Sequence, residues 1–475
     1  MTEALTPDAP VISDVTGTAG HAPENPAAGR LPLSTEELEA AVHAIADRSR
    51  KAARRLGQAN RAWKDRALRA IGAALLENRK QVLEANAKDV AAGRSNGTSA
   101  ALLDRLTLTP ERIDGLVSAL ENLAGLPDPV GNVVRGQTLP NGLRLRQVNV
   151  PMGVVAAIYE ARPNVTVDIA GLALKSGNAV ILRGGSAAAN TNEALVRILR
   201  DALDSVGLPA DAVQTVDQYG REGANVLMRA RGRVDVLIPR GGRDLIQTVV
   251  NNSSVPVIET GEGNVHIFID ESANEEMAVE ILLNAKTQRP SVCNTVETLL
   301  VHSGSTTLPA VAAALRKAGV TLHVDDRIAA ALGNSVDTVP ADDDDWATEY
   351  MDLDLAVAMV DSLDDAVKHI RKWTTGHTEA ILTNNLANAE RFIAEIDSAA
   401  VIVNASTRFT DGGELGLGAE VGISTQKLHA RGPMGLSELT TTKWIVQGEG
   451  QVRGQQRGNI EQKPGTAGNP AVEIL

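Results

Sequence analysis

Short apolar runs that alternate with helical patterns constrain the fold of this chain more than any other feature. Because helical segments separate the apolar runs, tight hairpins cannot join them, and the strands are expected to run parallel. From Gly153 onward the predicted strands and helices alternate as Val154–Tyr159, Val165–Leu174, Ala179–Leu182, Ala187–Val206, Val213–Val216, Glu222–Ala230, Val234–Ile238, Asp244–Val250 and Val257–Ile258. The sequence therefore predicts a doubly wound α/β domain.

A second alternation predicts another α/β unit further along the chain. A chain of 475 residues exceeds the size of one core, since cores stop growing near ~250–300 residues. Aromatic residues make up only 2%, so aliphatic side chains must fill the cores, as in many α/β proteins. We expect a ligand site in the cleft between the two units. The elements of the second unit are Val265–Ile269, Met277–Leu283, Val296–Val301, Leu308–Ala318 and a segment around Ala380–Leu382.

The remaining segments predict supporting structure. Ser34 and Glu37 form a capping-box pattern that begins a helical region. The turn at Asn141-Gly142 predicts a hairpin, which suits either strand pairing in a dimer or a surface hairpin of the main domain. Residues 1–32 and 454–475 are poor in apolar periodicity and are predicted to be disordered tails.

Charge and composition exclude several classes of function. The net charge of −13 argues against nucleic acid or an anionic membrane as the main partner. No apolar run approaches the ~20 residues of a membrane span, and no basic start precedes an apolar core. These features and a single cysteine predict a cytoplasmic protein.

Cys293 is the only cysteine, so it cannot form an internal disulfide. It is a packing residue, an accidental surface thiol or a catalytic nucleophile. The preceding segment is polar, with Lys286 and Arg289, and Pro290 ends the predicted helix. Cys293 is therefore expected in a loop just after that helix, where functional residues are common. A buried packing cysteine is nevertheless the commoner case, and the residues alone leave the alternatives open.

Two glycine turns are candidate phosphate sites, although neither a G-x-G-x-x-G nor a G-x-x-x-x-G-K-[ST] pattern occurs. The turns are Arg183-Gly184-Gly185-Ser186 and Arg240-Gly241-Gly242-Arg243, each after a predicted strand and before a helix. Backbone can approach an anion closely there, and the arginines can pair with phosphates. Ordinary turn chemistry with surface arginines is the alternative.

The sequence predicts no metal site. The run Asp342–Asp345 lacks the spacing of a cation loop and is typical of a solvated segment. The eight histidines show no paired metal-ligand spacing.

Several segments resemble the aldehyde dehydrogenase superfamily and, within it, the γ-glutamyl phosphate reductase family. The resemblance runs over almost the whole predicted folded region and is most specific at residues 160–164 and 288–294. Its segments are 159–166 (YEARPNVT), 173–178 (ALKSGN), 182–186 (LRGGS), 238–242 (IPRGG), 259–264 (ETGEGN), 288–294 (QRPSVCN), 376–379 (GHTE) and 430–436 (ARGPMGL).

The resemblance implies an aldehyde dehydrogenase-like α/β fold with a parallel Rossmann-like cofactor domain, an α/β catalytic domain and a small β oligomerisation element. The implied boundaries are 33–130 with 151–264 for the NADP-binding domain, 265–429 for the catalytic domain, and 131–150 with 430–453 for the oligomerisation element.

The resemblance also implies an NADPH-dependent oxidoreductase of proline biosynthesis that reduces L-glutamyl 5-phosphate to L-glutamate 5-semialdehyde. Cys293 would attack the acyl carbon, release phosphate and form a thioester that accepts hydride. Asn164 and the Cys293 backbone N–H would stabilise the oxyanion. Glu259 corresponds to the superfamily's water-activating carboxylate, but the local E-T-G-E-G sequence puts that role in doubt.

Further roles follow from the same resemblance. Glu349 would contact the nicotinamide ribose, although a solvated glutamate is a close alternative. Arg183 suits a 2′-phosphate and hence NADPH. The cofactor-binding residues are predicted to be Arg183, Gly184, Gly185, Ser186, Gly241, Gly242 and Glu349, and the candidates for binding the substrate's carboxylate and phosphate are Arg162, Arg289, His377 and Arg431.

We expect a homo-oligomer that is functionally coupled to a glutamate 5-kinase. The alternative functions are a non-phosphorylating aldehyde dehydrogenase and a nucleotide-sensing binding protein. A thiol hydrolase is a weaker alternative, because no sequence signal places a histidine beside Cys293.

Overall fold

The computed structural model describes residues 33–453, so the tails predicted at 1–32 and 454–475 lie outside the described residues. The helices are α1 (Thr35–Leu56), α2 (Arg61–Glu77), α3 (Arg79–Ser95), α4 (Ala100–Leu106), α5 (Pro110–Gly125), α6 (Pro163–Lys175), α7 (Ala189–Ser205), α8 (Gly220–Arg229), α9 (Arg243–Asn252), α10 (Glu275–Thr287), α11 (Leu308–Lys317), α12 (Asp326–Leu332), α13 (Leu363–Trp373) and α14 (Leu386–Glu395). The strands are β1 (Val133–Thr138), β2 (Arg144–Pro151), β3 (Val154–Tyr159), β4 (Ala179–Arg183), β5 (Val213–Thr215), β6 (Val236–Arg240), β7 (Val265–Ile269), β8 (Val296–His302), β9 (Thr321–Val324), β10 (Val339–Pro340), β11 (Asp354–Val360), β12 (Thr378–Leu382), β13 (Ala400–Val403), β14 (Ile423–Ser424), β15 (Gly432–Pro433) and β16 (Thr440–Gln447).

The first α/β unit has the predicted parallel sheet, with strand order β5-β4-β3-β6. Every residue of β3 is buried, because helices cover both faces of this central strand. The predicted strand at Val257–Ile258 is wrong, since Val257 forms only an isolated bridge with Leu237 before the chain turns away. At the start of α1, Ser34 and Glu37 form the predicted capping box.

The second unit is a seven-stranded parallel sheet in the order β10-β9-β11-β8-β7-β12-β13. Separate hydrophobic clusters lie on its two faces, one with Ile267 and Leu299 and the other with Phe268 and Leu300. Alternate residues of β7 and β8 thus face different layers, as a strand requires. The α/β fold predicted from the sequence is confirmed. None of the described helices is long and apolar enough to span a bilayer.

The predicted hairpin joins β16 in a three-stranded antiparallel sheet of order β1-β2-β16. Gly142 has φ +84° in its turn, a conformation that glycine adopts without strain. Exposed apolar side chains on this sheet include Val133, Trp444 and Val446. A role in oligomerisation stays a prediction.

The segment before β16 differs from the predicted boundaries. Met434, Leu436 and Leu439 pack in the hydrophobic core of the first unit, although residues 430–453 were expected to belong to the oligomerisation element. Val421 joins the same core, although it was expected in the catalytic domain. The chain therefore returns to the first unit before β16, and the functional division into domains stays a prediction.

Candidate active site

Cys293 lies in the turn that joins α10 to β8. Pro290 follows the end of α10 and prevents its continuation. Arg105 donates to the Ser291 carbonyl at 3.1 Å, and the Asn294 side chain donates to the Thr410 carbonyl at 2.9 Å. These bonds to distant segments hold both sides of the cysteine turn.

Gly263 allows a second loop to pack directly on the nucleophile candidate. A Cβ at this position would lie 1.5 Å from the carbonyl oxygen of Cys293, so only glycine fits. The Gly263 N–H donates to Oε1 of Glu349 at 3.1 Å. This contact brings the predicted cofactor residue Glu349 to the cysteine loop.

The surroundings of Cys293 disfavour its thiolate in the free protein. Burial raises its pKa to about 11, the charge of Arg240 opposes that rise, and Glu420 and then Glu349 add to it. The residue is nevertheless partly exposed, as a reactive thiol must be. A ligand that adds positive charge or shields these carboxylates would therefore favour the thiolate.

Arg240 and Glu420 are charged neighbours of the thiol. Neither was predicted as a catalytic, cofactor-binding or substrate-binding residue. Arg240 is the last residue of β6, and its Nη1 lies 3.1 Å from the Cβ position of Gly422. Among residues 33–453, no partner forms an ion pair within 4.0 Å or a side-chain hydrogen bond with its half-buried guanidinium. The glycine-turn motif indicated Arg240, but no local pattern marks Glu420.

Asn164 lies at the start of α6, directly after the helix's first-turn proline. Its exposed side chain donates to Oδ2 of Asp168 at 3.1 Å. Burial raises the pKa of Asp168 to about 6, against the opposing effects of the Asn164 bond and the Arg240 charge. The predicted oxyanion donor is therefore held by a carboxylate one turn along the helix, within the electrostatic field of Arg240.

The four predicted substrate residues occupy different environments. Arg162 precedes α6 with its pKa lowered to about 10 by burial and by the neighbouring cations Arg240 and Arg105. Arg289 is exposed on the cysteine turn. The structure thus places these two predicted arginines close to the Cys293 segment.

Arg431 and His377 are more constrained. The Arg431 guanidinium donates to the Asp397 carboxylate at 2.8 Å and to the Asp397 and Thr425 carbonyls. His377 is fully buried, and burial lowers its pKa to about 4, so the imidazole is neutral at physiological pH. Substrate binding by either residue stays a prediction.

Two glutamine side chains hydrogen-bond the carboxylate of Glu259. Gln247 and Gln426 donate to its two carboxylate oxygens at 3.3 and 3.2 Å, and its backbone N–H donates to the Gln426 side chain. The carboxylates that raise the pKa of Cys293 are instead Glu420 and Glu349. A catalytic role for Glu259 stays a prediction, and it would have to be compatible with these glutamine contacts.

The first glycine turn packs tightly at the carboxyl end of β4. A Cβ at Gly184 would lie 2.0 Å from Asn192, and one at Gly185 would lie 2.7 Å from the Ala161 backbone. The Gly184 N–H donates to Asp217 at 2.7 Å. Ser186 begins the short 3-10 turn that precedes α7.

The Arg183 guanidinium beside this turn has unused donors. It makes one long hydrogen bond, at 3.4 Å, from Nε to the Gly220 carbonyl. Burial lowers its pKa, while the nearby charge of Asp217 raises it. No carboxylate of residues 33–453 lies within ion-pair distance, so the remaining donors are available to a ligand.

The second glycine turn is occupied by a side chain of the protein itself. Glu160 accepts the Gly242 N–H at 2.8 Å at the N-terminus of α9. A Cβ at Gly241 would lie 2.6 Å from the Glu160 carboxyl carbon. Cofactor binding by Gly241 and Gly242 stays a prediction, and it would require Glu160 to move or to share these amides.

The described part of the chain contains no evident metal site. Within residues 33–453, no three His, Cys, Asp or Glu side chains are grouped to hold an ion. The run Asp342–Asp345 bonds to itself through the Asp342 backbone and carboxylate. The expectation that no metal is needed stays a prediction.

Comparison with known proteins agrees on one family. The aldehyde dehydrogenase family model matches residues 24–338. A γ-glutamyl phosphate reductase of Thermobifida fusca is 60% identical over 88% of this chain and 100% of its own length. One of Kineococcus radiotolerans is 58% identical over 88% of this chain and 97% of its own length.

Solved structures support the same conclusion. The crystal structure of γ-glutamyl phosphate reductase from Thermotoga maritima matches with TM-score 0.84 and 48% identity, covering 87% of this chain and 99% of that one. An acetylating aldehyde dehydrogenase of Geobacillus thermoglucosidasius, at 17% identity and TM-score 0.65, covers 89% of this chain and 99% of that one and shares the fold alone. The chain belongs to the aldehyde dehydrogenase family and, within it, to the γ-glutamyl phosphate reductases.

Proposed function

We propose that this protein reduces L-glutamyl 5-phosphate to L-glutamate 5-semialdehyde with NADPH and releases phosphate, as a step of proline biosynthesis. The observation that carries the proposal is the single thiol, Cys293, beside the unpaired cation Arg240. Relatives that match this chain over most of its length are named γ-glutamyl phosphate reductases, which supports the choice of substrate.

Cations around the thiol support binding of an acyl phosphate. Three arginines interact electrostatically with Cys293, namely Arg162, Arg240 and Arg408. Burial lowers the pKa of Arg162 and of Arg408. An incoming dianion would pair with such donors and relieve their mutual repulsion. The positive charge of Arg240 also favours the thiolate over the thiol.

The acyl-transfer step uses the sulfur and two hydrogen-bond donors. The thiolate of Cys293 forms a bond to the acyl carbon, the C–O bond to phosphate breaks, and a thioester results. Within residues 33–453, no group outside the cysteine itself accepts the Cys293 N–H. That N–H can therefore stabilise an oxyanion, and Asn164 can join it by releasing Asp168.

Residues at the carboxyl end of β4 and in the segment before β11 fit a nicotinamide cofactor. Arg183 offers unused donors for a 2′-phosphate, and the Gly184-Gly185 turn leads into the N-terminus of α7, where backbone N–H groups favour an anion. Glu349 would bind the nicotinamide ribose through the oxygen that Gly263 does not occupy. A reduced nicotinamide bound there would supply the hydride that converts the thioester to the semialdehyde, which frees the Cys293 thiolate.

The contacts of Glu259 favour phosphate release over hydrolysis. Both of its oxygens accept from glutamine side chains, so this carboxylate is held in hydrogen bonds rather than left free to activate water for attack on a thioester. A non-phosphorylating dehydrogenase needs such a base.

Phosphate dependence of the reverse reaction tests the proposal. Purified protein is incubated with glutamate 5-semialdehyde and NADP or NAD, and reduced nicotinamide is followed with and without phosphate. We expect phosphate-dependent reduction that is faster with NADP and is abolished in Cys293→Ser. Equal rates without phosphate would establish a hydrolytic enzyme, and full activity of Cys293→Ser would disprove the nucleophile.

We also propose that the protein is a cytoplasmic homo-oligomer whose substrate comes from a glutamate 5-kinase. The exposed apolar residues Trp444 and Val446 on β16 support assembly through the three-stranded sheet. An acyl phosphate hydrolyses readily, which favours close coupling to the kinase that makes it. Sedimentation of the purified protein, with and without Trp444→Lys, would test the assembly.

A further inference from the structure

Building on the proposed function, we propose that Glu420 binds the α-ammonium group of the substrate and thereby selects an amino acid over a plain acyl phosphate. L-Glutamyl 5-phosphate carries two anionic groups and one cation. The arginines around Cys293 can bind the anions, but the ammonium group needs a carboxylate. Glu420 is a carboxylate beside the thiol that the acyl-transfer step does not use.

Two independent tethers hold Glu420 next to the cysteine turn. On one side, Asn294 donates to the Thr410 carbonyl at 2.9 Å, and the nearby Gly412 N–H donates to Oε2 of Glu420 at 2.9 Å. On the other side, Ser424 forms an antiparallel bridge with Thr260, in the loop that packs on Cys293 through Gly263. Residues on both sides of Glu420 are thus fixed relative to the sulfur.

One oxygen of Glu420 is open. Oε2 accepts from Gly412, whereas no donor within residues 33–453 bonds to Oε1. Oε1 is accessible to solvent, so a ligand can reach it. The side chain is otherwise partly buried, and burial raises its pKa.

Glu420 has no ion-pair partner within 4.0 Å among the described residues, although Arg240 and Arg408 lie in its electrostatic field. A partly buried carboxylate without a close cation is costly, and a ligand cation would offset that cost. Glu420 does not form an ion pair with Arg240, so the two protein charges do not neutralise each other. Glu420 can then bind an ammonium group while Arg240 binds an anionic group of the same zwitterion.

The other carboxylates of the site are less suitable. Glu349 is bound by the Gly263 N–H and lies in the field of Glu262 and Lys286, on the side of the predicted ribose contact. Glu259 has both oxygens engaged by glutamines. Of the two carboxylates that raise the pKa of Cys293, Glu420 has the larger effect.

This position has a consequence for activation of the thiol. The negative charge of Glu420 disfavours the thiolate, and a bound ammonium would neutralise that charge. A substrate that carries the ammonium therefore both binds more tightly and makes Cys293 more nucleophilic. An analogue without the amino group loses both effects.

A specificity assay tests the proposal with Glu420→Gln. The substrates are glutamate 5-semialdehyde and 5-oxopentanoate, its analogue without the amino group, each with phosphate and NADP. We expect kcat/KM of the variant for glutamate 5-semialdehyde to fall about 10- to 100-fold, which is typical of a lost charged hydrogen bond. We expect kcat/KM for 5-oxopentanoate to remain within about threefold, because that substrate has nothing to pair with Glu420.

Control variants separate recognition from structure. Glu414→Gln removes an exposed carboxylate from the same loop and is expected to behave like wild type with both substrates. Glu420→Asp keeps the charge and is expected to retain preference for the amino substrate. An equal loss with both substrates in Glu420→Gln, or an unchanged preference, would overturn the proposal. If wild-type protein reduces NADP with neither aldehyde, the proposed function itself fails.

Alkylation of the sole cysteine gives a readout that does not depend on turnover. Without substrate, the pH at which iodoacetamide reacts at half its maximal rate should be lower in Glu420→Gln than in wild type, because a nearby negative charge is gone. Identical pH profiles would show that Glu420 does not act on the sulfur and would refute its placement beside the bound substrate.

Discussion

Replacing Gly263 by alanine should inactivate the enzyme without removing any functional side chain. The new Cβ would lie 1.5 Å from the Cys293 carbonyl oxygen, whereas real Cβ contacts essentially never fall below 3.0 Å. The two backbones must therefore separate by about 1.5 Å. No rotamer change can relieve the clash, because both partners are close to or part of the main chain.

That separation would displace the proposed nucleophile Cys293 and disturb the hydrogen bond from Gly263 to Glu349. A misplacement of about 1 Å in a reacting group costs roughly 100-fold in rate, so kcat should fall by at least that factor. Overpacking of this kind typically costs about 1–3 kcal/mol in the free energy of unfolding. The protein should therefore remain folded while losing activity.

Steady-state kinetics and urea unfolding measure the two effects separately. Gly115→Ala in α5 is the matched control, because a Cβ there meets nothing within 4 Å. It should keep wild-type kcat and gain slightly in stability, since alanine favours a helix. Wild-type kcat in Gly263→Ala would show that the loop is not packed on Cys293 as described.

Three further substitutions test other parts of the site. Asn164→Ala should lower kcat about 100- to 1000-fold with little effect on KM for NADPH, as expected for a lost oxyanion donor; an unchanged kcat would remove it from the oxyanion site. Arg183→Leu should lower the ratio of kcat/KM for NADPH over NADH about 10- to 100-fold, and equal losses with both cofactors would contradict a 2′-phosphate contact. Glu297→Gln should cost about 3–5 kcal/mol of unfolding free energy because it removes the counter-charge of the buried Lys286. By contrast Glu121→Gln, which breaks an exposed ion pair, should cost about 1 kcal/mol or less; similar losses in the urea unfolding of both variants would refute the distinction.

The parallel α/β architecture could be predicted because it depends on local patterns. The apolar run of β3 and the helical spacing of α6 each encode their own element, and their alternation leaves a parallel sheet as the outcome. The strand predicted at Val257–Ile258 was wrong because the apolar pair is a local pattern, and a local pattern does not ensure that a neighbouring strand pairs with both residues. Pairing depends on where the neighbouring strand lies.

Cys293 could be selected as a candidate because the chain has no other cysteine and because its flank resembles a known motif. The sequence by itself therefore determined the fold class, the candidate nucleophile and the glycine turns at the strand ends. Each of these depends on residues that lie near one another in the chain.

Only the tertiary structure decided which charges act on the sulfur. The Asn294 contact that brings the Glu420 loop to the cysteine turn spans 116 positions, and the contact between Gln426 and Glu259 spans 167. No pattern within a short window encodes such contacts, because they form when separate elements pack together. For this reason only the structure identified Arg240 and Glu420 as charged neighbours of the thiol, and only the structure showed that Glu259 is hydrogen-bonded by glutamines.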